Sequence, residues 1–230
     1  MKPFLKTGRF PDLEQKFLTK YPGADKESNP DIVVAFGGDG TLFHLVKEFR
    51  HLNIPFFVIA AGTVNFLTNK VVDFKLNLEI KKVSLMKCTI GEEIHYALND
   101  VVIGDNIMDY NHFVIKADNE IYKTSGMGLC ISSIIGATAF NKNNNGKIIS
   151  LYDDEILSLT SVVCNKTIRR LCSSIEIFID KEMEQRAIPK IYLDGKTKVL
   201  DFKDIKIELD GEIQLAFNNV RDLNLKRLNS

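Results

Sequence analysis

An excess of charge of either sign is missing from this 230-residue chain: 30 Lys and Arg face 30 Asp and Glu. A general nucleic-acid binder carries a basic surplus, so nucleic acid is not an expected partner. Cysteine is scarce. Cys88, Cys130, Cys164 and Cys172 form no CxxC pair, which argues against a zinc knuckle. Each sits in an apolar stretch and reads as a small buried hydrophobe. His44, His51, His95 and His112 show no HxxxH-type ligand spacing. No apolar run approaches the ~20 residues needed to span a bilayer, and the first nine residues lack the apolar core of a signal peptide. A reduced, cytoplasmic protein without membrane contact is expected. With 45% hydrophobic and 26% charged residues, the chain is ordinary for a globular protein. It is long enough for one large domain or two small ones with a sizeable core.

The apolar pattern divides the chain. Leu13–Tyr21 reads as a helix ended by Pro22-Gly23. Ile32–Phe36 is a continuous apolar run between Pro30 and Gly37, the signature of a strand buried on both faces of a parallel sheet. Past Gly37-Gly38-Asp39-Gly40-Thr41 the period changes, and Leu42, Leu45, Val46 and Phe49 share one helical face. Pro55–Ile59 reads as a second strand, and no strand is evident before residue 31. From about residue 95 the runs become short and β-rich: 94–103, 113–117, 129–133, 156–163, 175–179, 191–193 and 205–209. Asp118-Asn119, Asp194-Gly195 and Asp210-Gly211 are placed as turns between several of them. The expected organisation is an α/β domain over 1–95, with the tail 211–230 packing back on it, and a mainly β domain over 96–210.

Gly37-Gly38-Asp39-Gly40-Thr41 is the strongest local signal for chemistry. Glycines can take positive φ and let a backbone approach a ligand. Free amides at the start of the next helix favour a phosphate. Asp39 could take a proton from a hydroxyl, hold a magnesium-bound phosphate, or simply cap the helix. His44, one turn on, could reach a phosphate or face solvent, and Lys123 and Lys142 have the same two readings.

This pentapeptide resembles the hallmark of the NAD kinase and diacylglycerol kinase superfamily, and further segments resemble NAD kinases in order. Gly62–Thr68 is similar to Gly-x-x-Gly-Phe-Leu-Thr, with Asn65 for glycine. Leu98-Asn99-Asp100-Val101-Val102 resembles Leu-Asn-Glu-Val-Val. Residues 126–142 resemble a long glycine- and threonine-rich signature through Gly126, Gly128, Leu129, Ser132, Gly136, Thr138 and Ala139, with Phe140 for tyrosine. Asp194-Gly195-Lys196 resembles Asp-Gly-Gln.

The resemblance implies an NAD kinase-like fold, α/β then mainly β, with the active site in the interdomain cleft. It also implies phosphorylation of the 2′-hydroxyl of the adenosine ribose of NAD, with ATP or polyphosphate as donor and Mg2+ accompanying it. Asp39 would be the general base. Gly37, Gly38, Gly40 and Thr41 would cradle phosphates, with His44 beside them. Asn99 and Asp100 would bind ribose hydroxyls. Phe66, Met127, Ile135, Thr138, Ala139 and Phe140 would line the nucleotide pockets, and Asp194 would stand at the side of the cleft. Partners would be small-molecule nucleotides and a second copy of the chain, as a homodimer or homotetramer.

The pattern also departs from the family. Met127 stands where the family signature has aspartate, and Ser133–Ala137 has lost a proline and hydroxyls. A dinucleotide-binding regulator without catalysis is therefore an alternative. So is a diacylglycerol-type lipid kinase, whose Gly-Thr-x-Asn is also satisfied by Gly62–Asn65.

Overall fold

Ile32–Gly37 is buried at all six positions, as a central strand of a parallel sheet must be. In a computed structural model, residues 2–25, 29–61, 65–70, 78–104, 110–153, 155–180, 189–198 and 204–229 are described. The elements, in chain order, begin with β1 (Pro3–Leu5), α1 (Pro11–Lys20), β2 (Ile32–Gly37), α2 (Asp39–Phe49) and β3 (Phe56–Ala60). The strands β4 (Glu79–Ile90), β5 (Glu93–Ala97), β6 (Asp100–Gly104), β7 (Asn111–Ala117) and β8 (Glu120–Ser132) follow, then α3 (Phe140–Asn143). The last are β9 (Leu157–Cys164), β10 (Arg169–Cys172), β11 (Ser174–Ile179), β12 (Lys190–Leu193), β13 (Lys196–Lys198), β14 (Asp204–Phe217) and α4 (Val220–Asn229). They fall into two compact units, 1–83 with 212–230, and 84–211. The chain passes from one to the other within β4 and within β14.

The first unit is α/β. β1, β2 and β3 are parallel in that order, and Leu215 of β14 pairs parallel with Phe56 on the far side of β3. The strand missing from the sequence reading is therefore present. Pro3–Leu5 is too short and too close to polar residues to show a period, and it earns its place only through its pairing with Ile32–Val34. Phe17 of α1 meets Phe36 edge-on, ring centroids 6.0 Å apart, in a core with Ile32, Val34, Phe57 and Ile59. Phe49 of α2 meets Phe4 edge-on at 5.4 Å. The helix α1 begins at Pro11, pre-set for the first helical position.

The second unit is antiparallel β, with its core on residues such as Val101, Phe113, Leu129, Leu159, Ile175 and Ile205. Its centre is β8. The first half of β8 pairs β7, its second half pairs β6, and β9 runs along the stretch from Gly126 to Ser132. Gly128 and Gly104 face each other there, and a Cβ on Gly128 would lie 2.3 Å from the Ile103 carbonyl. The long strand β4 was not anticipated: of Glu79–Ser84 only Val83 is buried, so the segment shows no period. Asp210-Gly211 is not a hairpin. It lies inside β14, where Gly211 takes φ +74°. The 94–103 run is two strands, broken at Leu98-Asn99. Cys88, Cys130 and Cys172 are buried and Cys164 is half-buried. No helix among the described residues is long and apolar enough to cross a membrane.

Candidate functional site

In the first unit the chemistry gathers where β2 ends. Gly38 is the N-cap of α2, in extended backbone, and Asp39 is the first helical residue. None of the glycines at 37, 38 or 40 is among the described residues with positive φ, so left-handed backbone is not the reason for them. Gly37 is small because Thr41 crosses it: an added Cβ would sit 2.0 Å from the Thr41 hydroxyl. Gly40 is different, with nothing within 4 Å of such a Cβ. Its side of the first helical turn is open, at an end where amide donors outnumber intrahelical acceptors.

Asp39 does not cap its own helix. Its carboxylate reaches across to the 65–70 segment and accepts the Leu67 amide at 2.8 Å and the Phe66 amide at 3.1 Å, one on each oxygen. Each oxygen keeps a further lone pair. Burial holds the Asp39 carboxyl above its ordinary range, against the lowering effect of those amides and of Lys226 and Arg227. The segment is anchored further along by Asn69, which donates to the Val58 and Ala216 carbonyls and accepts the Asn218 amide at 2.8 Å. Phe66 is only half-buried; its ring lies under the Lys226 ammonium, 5.4 Å from the centroid. Thr41 is half-buried and His44 is exposed. Gly62–Val64, the start of the resembling segment, lies outside the described residues.

In the second unit Asp194 is the organiser. Asp194 and Gly195, at φ +49° and +72°, make the two-residue turn between β12 and β13, as Asp-Gly does where both positions need positive φ. The turn is also a tool. The Asp194 carboxylate accepts the backbone amides of Leu98 (2.9 Å), Asn99 (2.6 Å) and Asp100 (3.3 Å), and so shapes the corner between β5 and β6. Asn99 donates its side-chain amide to the Asp100 carboxylate at 2.8 Å. Burial above all, then the Asp194 charge, pushes Asp100 up to about 6, with the Asn99 hydrogen bond acting against them. Asp194 is also raised by burial, opposed by its three amides.

The turn after β8 locks onto the same corner. Ser133 donates its hydroxyl to the Leu98 carbonyl at 2.5 Å and accepts the Ile135 amide at 3.0 Å. Gly136 is pressed so close that a Cβ would lie 1.9 Å from the Asn99 carbonyl. Ile135 and Thr138 are buried, Ala139 is half-buried and Phe140 is 40% exposed, too open for a core aromatic. Met127 is half-buried on β8. Lys142 lies on α3. Lys123 pairs with Asp180 at 3.6 Å and, with Lys166, Arg169 and Arg170, lines a separate cavity of about 530 Å3 that none of the other candidate site residues lines.

Sequence reasoning missed Asn69, Asn141, Lys226 and Arg227. Asn141 is fully buried and holds the Ala137 and Lys147 carbonyls and the Ser158 and Thr160 hydroxyls. Its one sequence signal is the polar 143–146 loop beside it, whose Gly146 leaves room for its side chain.

The chain is similar to known proteins in sequence and in fold. Residues 9–76 match the ATP-NAD kinase N-terminal domain family. An NAD kinase of Campylobacter jejuni is 27% identical over 227 residues, which cover 89% of this chain and 77% of that one. The chain is similar to NAD kinases over most of its length. An NAD kinase of Caldicellulosiruptor saccharolyticus is 29% identical over 141 residues, but the match spans only 53% of its length. The fold is that of an Archaeoglobus fulgidus NAD kinase solved with ATP (TM-score 0.72, 18% identity, 98% of this chain and 96% of that one). A yeast NADH kinase solved with NADH shares it too (TM-score 0.71, 18% identity, 87% of this chain and 66% of that one).

Proposed function

We propose that this chain transfers the terminal phosphoryl group of ATP to the 2′-hydroxyl of the adenosine ribose of NAD, with Asp39 as general base. The observation that carries the reading is the Asp39 carboxylate: oriented by two amides, half-buried, and held above the ordinary carboxylate range. A base works best with a proton affinity near the operating pH, and burial moves Asp39 that way. Orientation matters as much, because phosphoryl transfer depends on placing the attacking oxygen in line with the phosphorus. The hydroxyl proton passes to Asp39 as the ribose oxygen bonds to the terminal phosphorus and the bond from that phosphorus to the bridging oxygen breaks, releasing ADP.

The first turn of α2, open over Gly40, is where the donor phosphates would sit. Asn99 and Asp100, an amide and a carboxylate fixed side by side, suit the two hydroxyls of a ribose. Among the described residues no group of three His, Cys, Asp or Glu side chains is placed to share a metal ion. A magnesium ion held mainly by the donor's phosphate oxygens and water fits such a site. When bound, it neutralises phosphate charge. A homodimer or homotetramer in the cytoplasm belongs to the same proposal, as does polyphosphate as a second donor.

The test is NADP formation from NAD, ATP and Mg2+ by the purified chain and by Asp39→Asn. Loss of a general base costs about 10²–10⁴-fold, so the variant should lose at least a hundredfold in kcat while still binding NAD. No NADP from the wild type, together with tight NAD binding by calorimetry, would favour the non-catalytic regulator, to which Met127 and the buried Ile134-Ile135 pair point. Absence of binding as well would return attention to a lipid acceptor.

A further inference from the structure

The C-terminal helix α4 buries Val220 and Leu223, as a helix covering a core does, but also Asn224 and Arg227. Its Arg227 is fully buried, while Leu225 and Leu228 on either side are 49% and 38% exposed. Exposed leucines are common, but a buried arginine is costly and calls for a compensating charge. Arg227 feels the Asp39 carboxylate: burial pushes the guanidinium down to about 10, and Asp39 pulls the other way. Its neighbour Lys226 is exposed, and its charge acts on the same carboxylate. It donates to the Asn65 carbonyl and covers the Phe66 ring. The segment 65–67 is thus gripped twice, by Asp39 through the amides of 66 and 67 and by Lys226 through the carbonyl of 65 and the ring of 66.

We infer that α4 is a working part of the Asp39 site: Lys226 is a positioning residue that fixes the 65–67 segment against the carboxylate, and the buried Arg227 joins it in balancing the negative charge. The inference rests on the proposal that Asp39 is the base. These two cations are the charged side chains that act on the Asp39 carboxyl among the described residues, and both favour its ionised form. A base too easily protonated is idle at neutral pH, and a base free to swing loses the in-line geometry. With both cations in place the carboxylate is buried enough to be basic and still charged enough to act.

The test follows the Asp39 carboxyl directly, by 13C NMR titration assigned with Asp39→Asn, beside steady-state kinetics over pH. Lys226→Met changes an exposed side chain and should fold normally by circular dichroism; Arg227→Met is the second variant. Each should move the Asp39 titration, and with it the acid limb of kcat/KM, to higher pH. Lys226→Met should lower kcat about tenfold, within the cost of a misplaced reacting group, with KM for NAD within about twofold. Lys226→Arg, which keeps the charge, should restore most of the loss. An Asp39 titration that stays put in folded Lys226→Met and Arg227→Met overturns the role of α4 and leaves the base standing. Full activity in Asp39→Asn overturns both.

Discussion

Single side chains show how the two units use carboxylates differently. Asp100 is buried, Asp39 and Asp194 are half-buried, and all three are raised above the ordinary range, but each answers to different partners. Asp194 is saturated with backbone amides and acts as a corner brace. Asp100 has one side-chain amide and a negative neighbour, and that charge is a burden on the fold. Its carboxyl ionises near 3.8 when exposed and about 6 when folded. The folded state therefore holds the proton more tightly, and stability falls as pH rises between those values and stays low above them. Asp100→Asn removes the penalty. It should raise unfolding free energy at pH 8 by about 2–3 kcal/mol, with the gain roughly halved at pH 5. Urea melts at the two pH values check this. If Asp100 binds ribose as proposed, the same variant should raise KM for NAD, which is the usual exchange of stability for function.

At the scale of elements, glycines with identical sequence signals have different jobs. Gly136 faces the Asn99 backbone at a distance no Cβ can occupy. Gly136→Ala should therefore cost at least 2 kcal/mol, since a backbone carbonyl cannot move aside as a flexible side chain does. Gly40 has open space in the first turn of α2. Gly40→Ala should leave the melting temperature unchanged or slightly raised, because alanine is the better helix former by about 1 kcal/mol. If donor phosphates occupy that space, its KM for ATP should rise. Thermal melts beside ATP kinetics separate the two effects; a Gly40→Ala protein with a lowered melting temperature and normal KM would remove the phosphate site from α2. The helix α4 shows the converse, a polar segment whose one fully buried side chain is an arginine.

Across the whole molecule, the first unit depends on its C-terminal return. Leu215 pairs with Phe56, Ala216 lies in the core, and Asn69 is tied to Ala216 and Asn218. A chain ending after Gly211 loses these together with Lys226 and Arg227. Its amides in Phe56–Ala60 should lose protection from hydrogen exchange, while those of β7 and β8, whose partners all lie within 84–211, should keep it.

Local sequence was enough for the α/β-then-β order, for the buried strand Ile32–Gly37 and for the motif around Asp39, because each is written in adjacent residues: a continuous apolar run, a change of period, a glycine cluster at the junction. The two-residue turn at Asp194-Gly195 was legible for the same reason. Pro3–Leu5, β4 and the strand through Asp210-Gly211 were not, since their reason to be extended is a partner far away in sequence. The partners of Asp39 were beyond reach too: Leu67 is 28 residues away, and Lys226 and Arg227 lie at the other end of the chain in a segment that reads only as a mildly basic tail. Sequence determines which groups are available and what local backbone they prefer; burial and charge pairing, which set how strongly Asp39 or Asp100 holds a proton, exist only once distant segments are packed together.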